Sequence, residues 1–160
     1  MNNSSRFLLL LFILLSAPFA FAQTGEFNQP WSDPTTAIVI DPFQGNSINW
    51  DKVATDTRVV GVIHRGTIGL RKDTLYKTRR AEAKSRGYKW GSYHLGKPGD
   101  TIVQADFYLT TIAPPDDEVM ALDIESLDEN RDMNLANARR FIEYIKKRPA
   151  GIRCCMPITR

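Results

Sequence analysis

Cysteine is nearly absent from this sequence of 160 residues, and the two that occur are the neighbours Cys154 and Cys155. Adjacent cysteines rarely bridge to each other, because a disulfide requires Cα atoms about 4.4–6.8 Å apart and a bent dihedral angle. The pair also lacks the spacing of metal ligands. The sequence therefore predicts no disulfide framework, no metal site and no cofactor.

Long apolar runs are also missing, apart from one near the N-terminus. Arg6 is followed by apolar residues 7–15 and then by small residues that end in Ala20-Phe21-Ala22. These are the parts of a secretory signal peptide, whereas a membrane anchor needs about 20 apolar residues. Residues 1–22 are therefore predicted to be a signal peptide that is cleaved after Ala22. The protein is expected to be exported, to the periplasm or the cell exterior, without a stable membrane anchor.

A strong charge of one sign is missing as well. The 21 Lys and Arg residues against 18 Asp and Glu residues give a net charge of +3, and loss of Arg6 with the signal peptide lowers it to +2. A charge this small gives no reason to expect a nucleic acid as partner. It is mildly favourable for binding an anionic polymer.

What the sequence does contain is an alternation of strand and helix patterns after a linker at residues 23–36. Alternation of this kind predicts right-handed parallel βαβ units, that is, an α/β fold. Asp73, Asp100 and Asn134 stand where helix N-caps are expected. The predicted strands are residues 37–41, 58–65, 88–95 and 119–125, and the predicted helices are residues 49–53, 75–86, 102–109 and 135–147.

The strand predicted at 119–125 separates into two faces with period two. One face is bulky and apolar, and the other ends in Asp123 and Glu125. Two carboxylates forced together cannot both ionise freely, so one can hold a proton near neutral pH, as glycoside hydrolysis requires. The alternative is that both are solvated side chains at a strand end that cap the next helix.

Polar residues also end the other predicted strands: Asp41 in the first, Arg65 in the second and His94 in the third. The carboxyl ends of parallel strands meet at one rim, where α/β proteins bind their ligands. Several such endings together favour a functional site over chance.

In their order and spacing these residues resemble the glycoside hydrolase family 25 muramidases, lysozymes of the Chalaropsis type. The resemblance covers about residues 37–147 and rests on the whole set of motifs, because an Asp-x-Glu alone is weak. The motifs are Ile40-Asp41-Pro42-Phe43-Gln44-Gly45, Ile48-Asn49-Trp50, Ile63 to Gly69, Asp73, Ala81 to Gly87, Gly91-Ser92-Tyr93-His94, Gln104-Ala105 with Phe107, and Leu122-Asp123-Ile124-Glu125.

That family hydrolyses the β-1,4 bond between N-acetylmuramic acid and N-acetylglucosamine in peptidoglycan, and its fold is an irregular (β/α) barrel. The resemblance implies that Glu125 is the general acid and base. It implies that Asp123 orients the substrate's acetamido group and that Asp41 is the carboxylate of the first strand. The substrate-binding residues that the resemblance implies are Arg65, Tyr93 and His94. For His94, a packed, hydrogen-bonded position in the core is an equal alternative.

The resemblance also implies further strands, one of which supplies another aspartate to the site. The mature length is 160 − 22 = 138 residues, against roughly 200 or more for a full (β/α)₈ barrel. Residues 148–160 lack the pattern of a fifth strand. The sequence thus predicts an incomplete barrel of about four to five βα units at 37–147 with an atypical tail, as a reading-frame shift or truncated gene near Pro149 would produce. A specialised short variant is the alternative.

Two other functions stay open at this point. One is a non-catalytic peptidoglycan-binding module that keeps the sugar cleft. The other is a different exported hydrolase of acetamido sugars, of the chitinase type. Peptidoglycan glycan strands are the expected partner in the muramidase and binding-module cases.

Overall fold

The computed structural model describes residues 29–115 and 117–147. The chain divides into two compact units, Met1–Pro34 and Thr35–Arg160. In the first unit the described residues form a short 3₁₀ helix at Pro30–Ser32. The predicted signal peptide and the tail at 148–160 lie outside the described residues. None of the described helices combines the length and the apolar character that crossing a bilayer requires.

The second unit alternates strands and helices as the sequence predicts. Four of its strands form a parallel sheet in the order β1-β2-β4-β5, and β3 pairs antiparallel with the end of β2. The elements are β1 Ile38–Ile40, α1 Trp50–Val53, β2 Val59–Ile68, β3 Arg71–Lys72, α2 Tyr76–Ser85, β4 Lys89–Leu95, α3 Thr101–Ile112, β5 Val119–Asp123 and α4 Leu135–Lys146.

The predicted α/β class with a parallel sheet is therefore confirmed. Among the described residues β1 pairs only with β2 and β5 only with β4, so this part of the sheet is open at both edges. The incomplete (β/α) barrel stays a prediction.

The core lies between the sheet and the helices that follow its strands. The predicted bulky face of β5 is confirmed, because Met120 and Leu122 are each 1% exposed and Ile124, just beyond the strand, is 5% exposed. The apolar stripe of α4 packs into the same cluster through Ala138, Phe141 and Ile145.

The second strand is longer than predicted. The predicted strand ends at Arg65, but β2 continues to Ile68 and turns back into β3. Gly66 allows this course, since a Cβ atom there would lie 2.5 Å from Cγ2 of Ile112 in α3. Gly69 makes the turn with φ +52°, a conformation that favours glycine. These glycines therefore mark a close packing contact and a tight hairpin rather than an open loop.

Two of the three predicted helix caps are correct. Asp100 accepts hydrogen bonds from the backbone N–H groups of Ile102 and Val103, and Asn134 accepts one from Asn137.

The third prediction, that Asp73 caps a helix, is wrong. The helix begins later, at Tyr76, and its N-cap residue Leu75 makes no side-chain hydrogen bond. Asp73 is buried instead, and its Oδ2 accepts the backbone N–H of Gln44 and pairs with Nε of Arg65.

Candidate active site

A cleft of about 690 Å³ opens where β1, β4 and β5 end. Its floor comes from the ends of these strands, and its side wall comes from the loop between β1 and α1 together with the first helix. This is the rim at which parallel α/β sheets bind ligands. The lining residues are Ile40, Asp41, Pro42, Phe43, Asn46, Ser47, Ile48, Asn49, Lys52, Val53, Tyr93, Asp123 and Glu125.

Four of the six predicted site residues line this cleft. Asp41 follows directly after β1, Tyr93 lies in β4, Asp123 is the last residue of β5 and Glu125 stands two residues further on. The carboxylates of Asp41 and Glu125 are in exposed positions, whereas Asp123 and Tyr93 are half-buried. The fold thus brings Asp41, which is distant in sequence, beside the neighbouring carboxylates of Asp123 and Glu125 around one phenol.

The pKa of the Tyr93 phenol reflects this arrangement. Burial raises the pKa of Tyr93 to about 12, against the lowering effect of Arg65. The nearby carboxylates of Asp123, Asp41 and Glu125 also raise it. Tyr93 therefore keeps its proton at any physiological pH and can donate a hydrogen bond to a sugar oxygen.

Arg65 does not line the cleft as predicted. Its Nε lies 3.3 Å from Oδ2 of Asp73, and its guanidinium carbon lies 4.5 Å from the ring centroid of Phe43. These contacts place the guanidinium against Phe43, which lines the cleft. Arg65 therefore contacts the wall of the cleft, and its direct contact with a substrate stays a prediction.

His94 is in the core, so the packed alternative describes it and the prediction of substrate contact is corrected. The residue is 0% exposed, and its ring stacks on Phe141 with centroids 4.9 Å apart. Its Nδ1 lies 2.6 Å from Oγ1 of Thr67 and its Nε2 lies 3.1 Å from Oε1 of Gln104. Burial lowers the pKa of His94 to about 4, so the ring is neutral near pH 7.

Sequence reasoning missed the pair that fixes the cleft wall, His64 and Arg79. The guanidinium of Arg79, on α2, donates to the backbone oxygens of Phe43 and Asn46 and lies 3.0 Å from Nε2 of His64. His64 is 0% exposed, and its Nδ1 donates to the backbone oxygen of Arg65. Nothing in the local pattern of α2 distinguishes Arg79 from the exposed cations around it.

Sequence reasoning also missed Asp132. Its side chain is 2% exposed, and Oδ2 accepts the backbone N–H groups of Glu125 at 2.9 Å and Ser126 at 2.7 Å. The other oxygen, Oδ1, pairs with the ammonium group of Lys97. The residue stands in a loop without periodicity, so no sequence signal points to it.

The described residues contain no group of three or more His, Cys, Asp or Glu side chains placed to hold a metal ion. The cleft itself presents three carboxylates, a protonated phenol and the ammonium group of Lys52.

Comparison with solved structures identifies relatives of the same fold. The catalytic domain of the endolysin ply40 from bacteriophage P40 of Listeria monocytogenes aligns with a TM-score of 0.61 and 20% identity, over 78% of this chain and 63% of its own. The lysozyme from Streptomyces coelicolor aligns with a TM-score of 0.61 and 20% identity, over 78% and 64%. The CTP1L endolysin gives 0.56 and 22%, over 74% and 43%.

This chain therefore spans between about two fifths and two thirds of the length of these relatives. A comparison with curated protein sequences finds no match. The sequence profile of the glycosyl hydrolases family 25 matches residues 40–156, which include all four cleft residues named above and extend beyond the last described residue, Lys147. Because that match covers most of the sequence, the chain belongs to the glycosyl hydrolases family 25.

Proposed function

We propose that this protein is an exported muramidase, which hydrolyses the β-1,4 bond between N-acetylmuramic acid and N-acetylglucosamine in peptidoglycan. One observation carries the proposal: in a chain of family 25, Asp41, Asp123 and Glu125 converge on Tyr93 in a single cleft at the strand ends. The related structures include a muramidase from Acremonium alcalophilum, which aligns with a TM-score of 0.55 and 18% identity over 67% of this chain and 57% of its own.

Glu125 is the general acid in this proposal. A glycosidic leaving oxygen must be protonated as its bond to the anomeric carbon breaks. Glu125 lies past the end of β5 on the exposed side of the cleft, where a polysaccharide chain can reach it. After the bond breaks, the same carboxylate takes a proton from the water that completes hydrolysis.

Asp123 has a different role, because it lies deeper at the end of β5. Its carboxylate accepts a hydrogen bond from the acetamido N–H of the sugar. This holds the acetamido carbonyl oxygen near the anomeric carbon, where it attacks as an intramolecular nucleophile. Asp41 and Tyr93 lie in the same cleft and bind sugar hydroxyls through a carboxylate and a protonated phenol.

Export is part of the proposal, because peptidoglycan lies outside the cytoplasmic membrane. It rests on the signal-peptide pattern of residues 1–22. The intact mass of protein recovered from the exported fraction should show Gln23 as the first residue. Retention of Met1 in that fraction would contradict it.

The hydrolytic step is tested with purified residues 23–160 on a suspension of peptidoglycan. We expect turbidity to fall, and we expect reduced, mass-analysed products to carry N-acetylmuramic acid at the new reducing end. Glu125→Gln keeps the side-chain size but cannot deliver a proton, so the rate should fall at least about 10²-fold. Glu129→Gln, which changes an exposed carboxylate in the same loop, should keep the parental rate.

The same assay separates the other functions. Binding of the parental protein to sedimented peptidoglycan without any clearing would indicate a binding module. Hydrolysis of chitin oligosaccharides with no release from peptidoglycan would indicate a chitinase-type enzyme. A Glu125→Gln protein that clears as fast as its parent would remove Glu125 from the mechanism.

A further inference from the structure

We propose that Asp132, together with a buried hydrogen-bond network behind it, positions the backbone of Glu125 at the cleft. The network begins in the core at β2 and β4 and ends at the loop after β5. Its members are positioning residues, because they do not line the cleft, and their catalytic effect rests on the proposed role of Glu125. The members are Thr67, His94, Gln104, Lys97 and Asp132.

The link nearest to the site is Asp132. One carboxylate oxygen accepts both consecutive N–H groups of Glu125 and Ser126, at 2.9 and 2.7 Å. A charged acceptor that receives two backbone donors makes stronger hydrogen bonds than a neutral one. Glu125 lies beyond the last residue of β5, so sheet pairing does not hold its backbone. Within the described structure these two hydrogen bonds fix the position of the backbone at Glu125, the proposed acid.

The next link is Lys97, in the loop after β4. Its ammonium group pairs with Oδ1 of Asp132 across 35 residues of sequence. Burial acts to raise the pKa of Asp132, but the hydrogen bonds from Lys97 and the backbone of Glu125 outweigh it and hold that pKa below its usual value. Asp132 is therefore ionised at neutral pH, which is the state that accepts both N–H groups.

Gln104, on α3, fixes the backbone of Lys97 from both sides. Its Oε1 accepts the N–H of Lys97 at 3.1 Å, and its Nε2 donates to the oxygen of the same residue at 2.8 Å. Gln104 is 2% exposed, so these bonds are protected from water. The same Oε1 lies 3.1 Å from Nε2 of His94.

His94 anchors the network in the core. Since Oε1 of Gln104 can only accept, Nε2 of His94 carries the proton and Nδ1 accepts from the hydroxyl of Thr67 at 2.6 Å. His94, which belongs to one of the motifs that resemble family 25, is thus linked to Glu125 through this chain of hydrogen bonds and is not placed to touch a ligand. Each ring nitrogen of His94 and each side-chain amide atom of Gln104 therefore has one role, as donor or as acceptor.

A network that only stabilised the fold would affect all buried amides alike, whereas a positioning network affects the amides at its end. The direct measurement is amide hydrogen exchange, followed by NMR on residues 23–160 at neutral pH. Asp132→Ala removes the acceptor, and exchange at Glu125 and Ser126 should rise at least about tenfold relative to the amides of β4.

A remote pair of variants tests the full length of the network. Gln104→Met and Tyr108→Phe both change α3, and both delete buried hydrogen bonds, but Tyr108 bonds to Ser92 and lies outside the network. We expect Gln104→Met to speed exchange at Glu125 and Ser126 several-fold relative to β4. Tyr108→Phe should leave that ratio unchanged. Equal ratios in the two variants would overturn the proposal.

Lys97 provides a second pair that does not disturb the core, because its side chain is 31% exposed. Lys97→Met should speed exchange at the two amides, and Lys97→Arg, which keeps the ion pair, should restore the parental value. On peptidoglycan, Lys97→Met should clear more slowly while binding equally well. If the parental protein clears no peptidoglycan, the proposed function fails, and the exchange ratios still decide whether the network holds these amides.

Discussion

Asp123 and Glu125 are two residues apart, but they lie in different parts of the backbone structure. Asp123 ends β5 and is half-buried, whereas Glu125 lies in the loop and is exposed. A side chain at a strand end has a direction set by the sheet, while a loop side chain needs other restraints. This difference supports separate roles, orientation for Asp123 and proton transfer for Glu125.

Asp123→Asn is therefore expected to reduce the rate of peptidoglycan clearing less than Glu125→Gln does. The amide keeps the size and one acceptor oxygen but loses the charge that orients the acetamido N–H, and the acid stays in place. Sedimentation binding to peptidoglycan should be close to parental for both variants. A loss for Asp123→Asn as large as that for Glu125→Gln would show that the two carboxylates act as a unit.

At the scale of elements, the wall of the cleft depends on a helix that does not line it. Arg79 on α2 holds the oxygens of Phe43 and Asn46, both in the loop between β1 and α1. This loop contributes a large share of the cleft lining. Arg79 therefore ties the loop that lines the cleft to α2.

Arg79→Gln should lower the free energy of unfolding by about 1–3 kcal/mol, because two backbone oxygens and His64 lose a charged donor. Arg86→Gln is the matched control at the end of the same helix, since Arg86 makes exposed ion pairs with Asp51 and Glu82. Such exposed pairs contribute little to stability, because solvent screens them. Urea unfolding measures both, and equal losses would contradict the role given to Arg79.

The sequence predicts the elements well, and the residues that connect them less well. Apolar periodicity locates every parallel strand of the described sheet, because burial on the sheet imposes it, and Asp100 caps its helix through a local hydrogen bond. Asp73 shows the limit: the same residue type in a similar position bonds to Gln44, 29 residues away, instead of capping a helix. Asp132 and Arg79 escape prediction for the same reason, since long-range contacts leave no periodic pattern.

At the scale of the whole molecule, the described sheet presents two edges, β1 and β5. Unpaired strand edges bind other chains, and Val39 on β1 adds an apolar side chain that is 50% exposed. We expect residues 23–160 to self-associate at micromolar concentration. Val39→Lys should reduce association, because a lysine on an edge strand opposes pairing.

Val103→Lys is the matched control for that change. Val103 is 49% exposed but lies on α3, so the substitution alters charge and hydropathy equally without touching a strand edge. Sedimentation velocity over a concentration series separates the variants. A monodisperse parental monomer, or the same association in both variants, would count against the edge as the site of contact.

Mild acid should destabilise the molecule, because the chain's two histidines are both buried and 0% exposed. Burial lowers the pKa of His64, and it lowers that of His94 to about 4, against about 6.5 in an unfolded chain.

The folded state thus excludes a proton that the unfolded state accepts. The stability that His94 contributes is complete above pH 6.5 and is lost as the pH falls from 6.5 towards 4. Between pH 7 and pH 5 this loss is about 2 kcal/mol for His94 alone. Urea unfolding at the two pH values, at protein concentrations too low for association, measures it.

His94→Gln keeps an amide donor and acceptor but does not titrate, so its stability should fall by about 2 kcal/mol less over the same interval. Equal losses in the parental protein and in His94→Gln would mean that His94 is not held neutral by the fold.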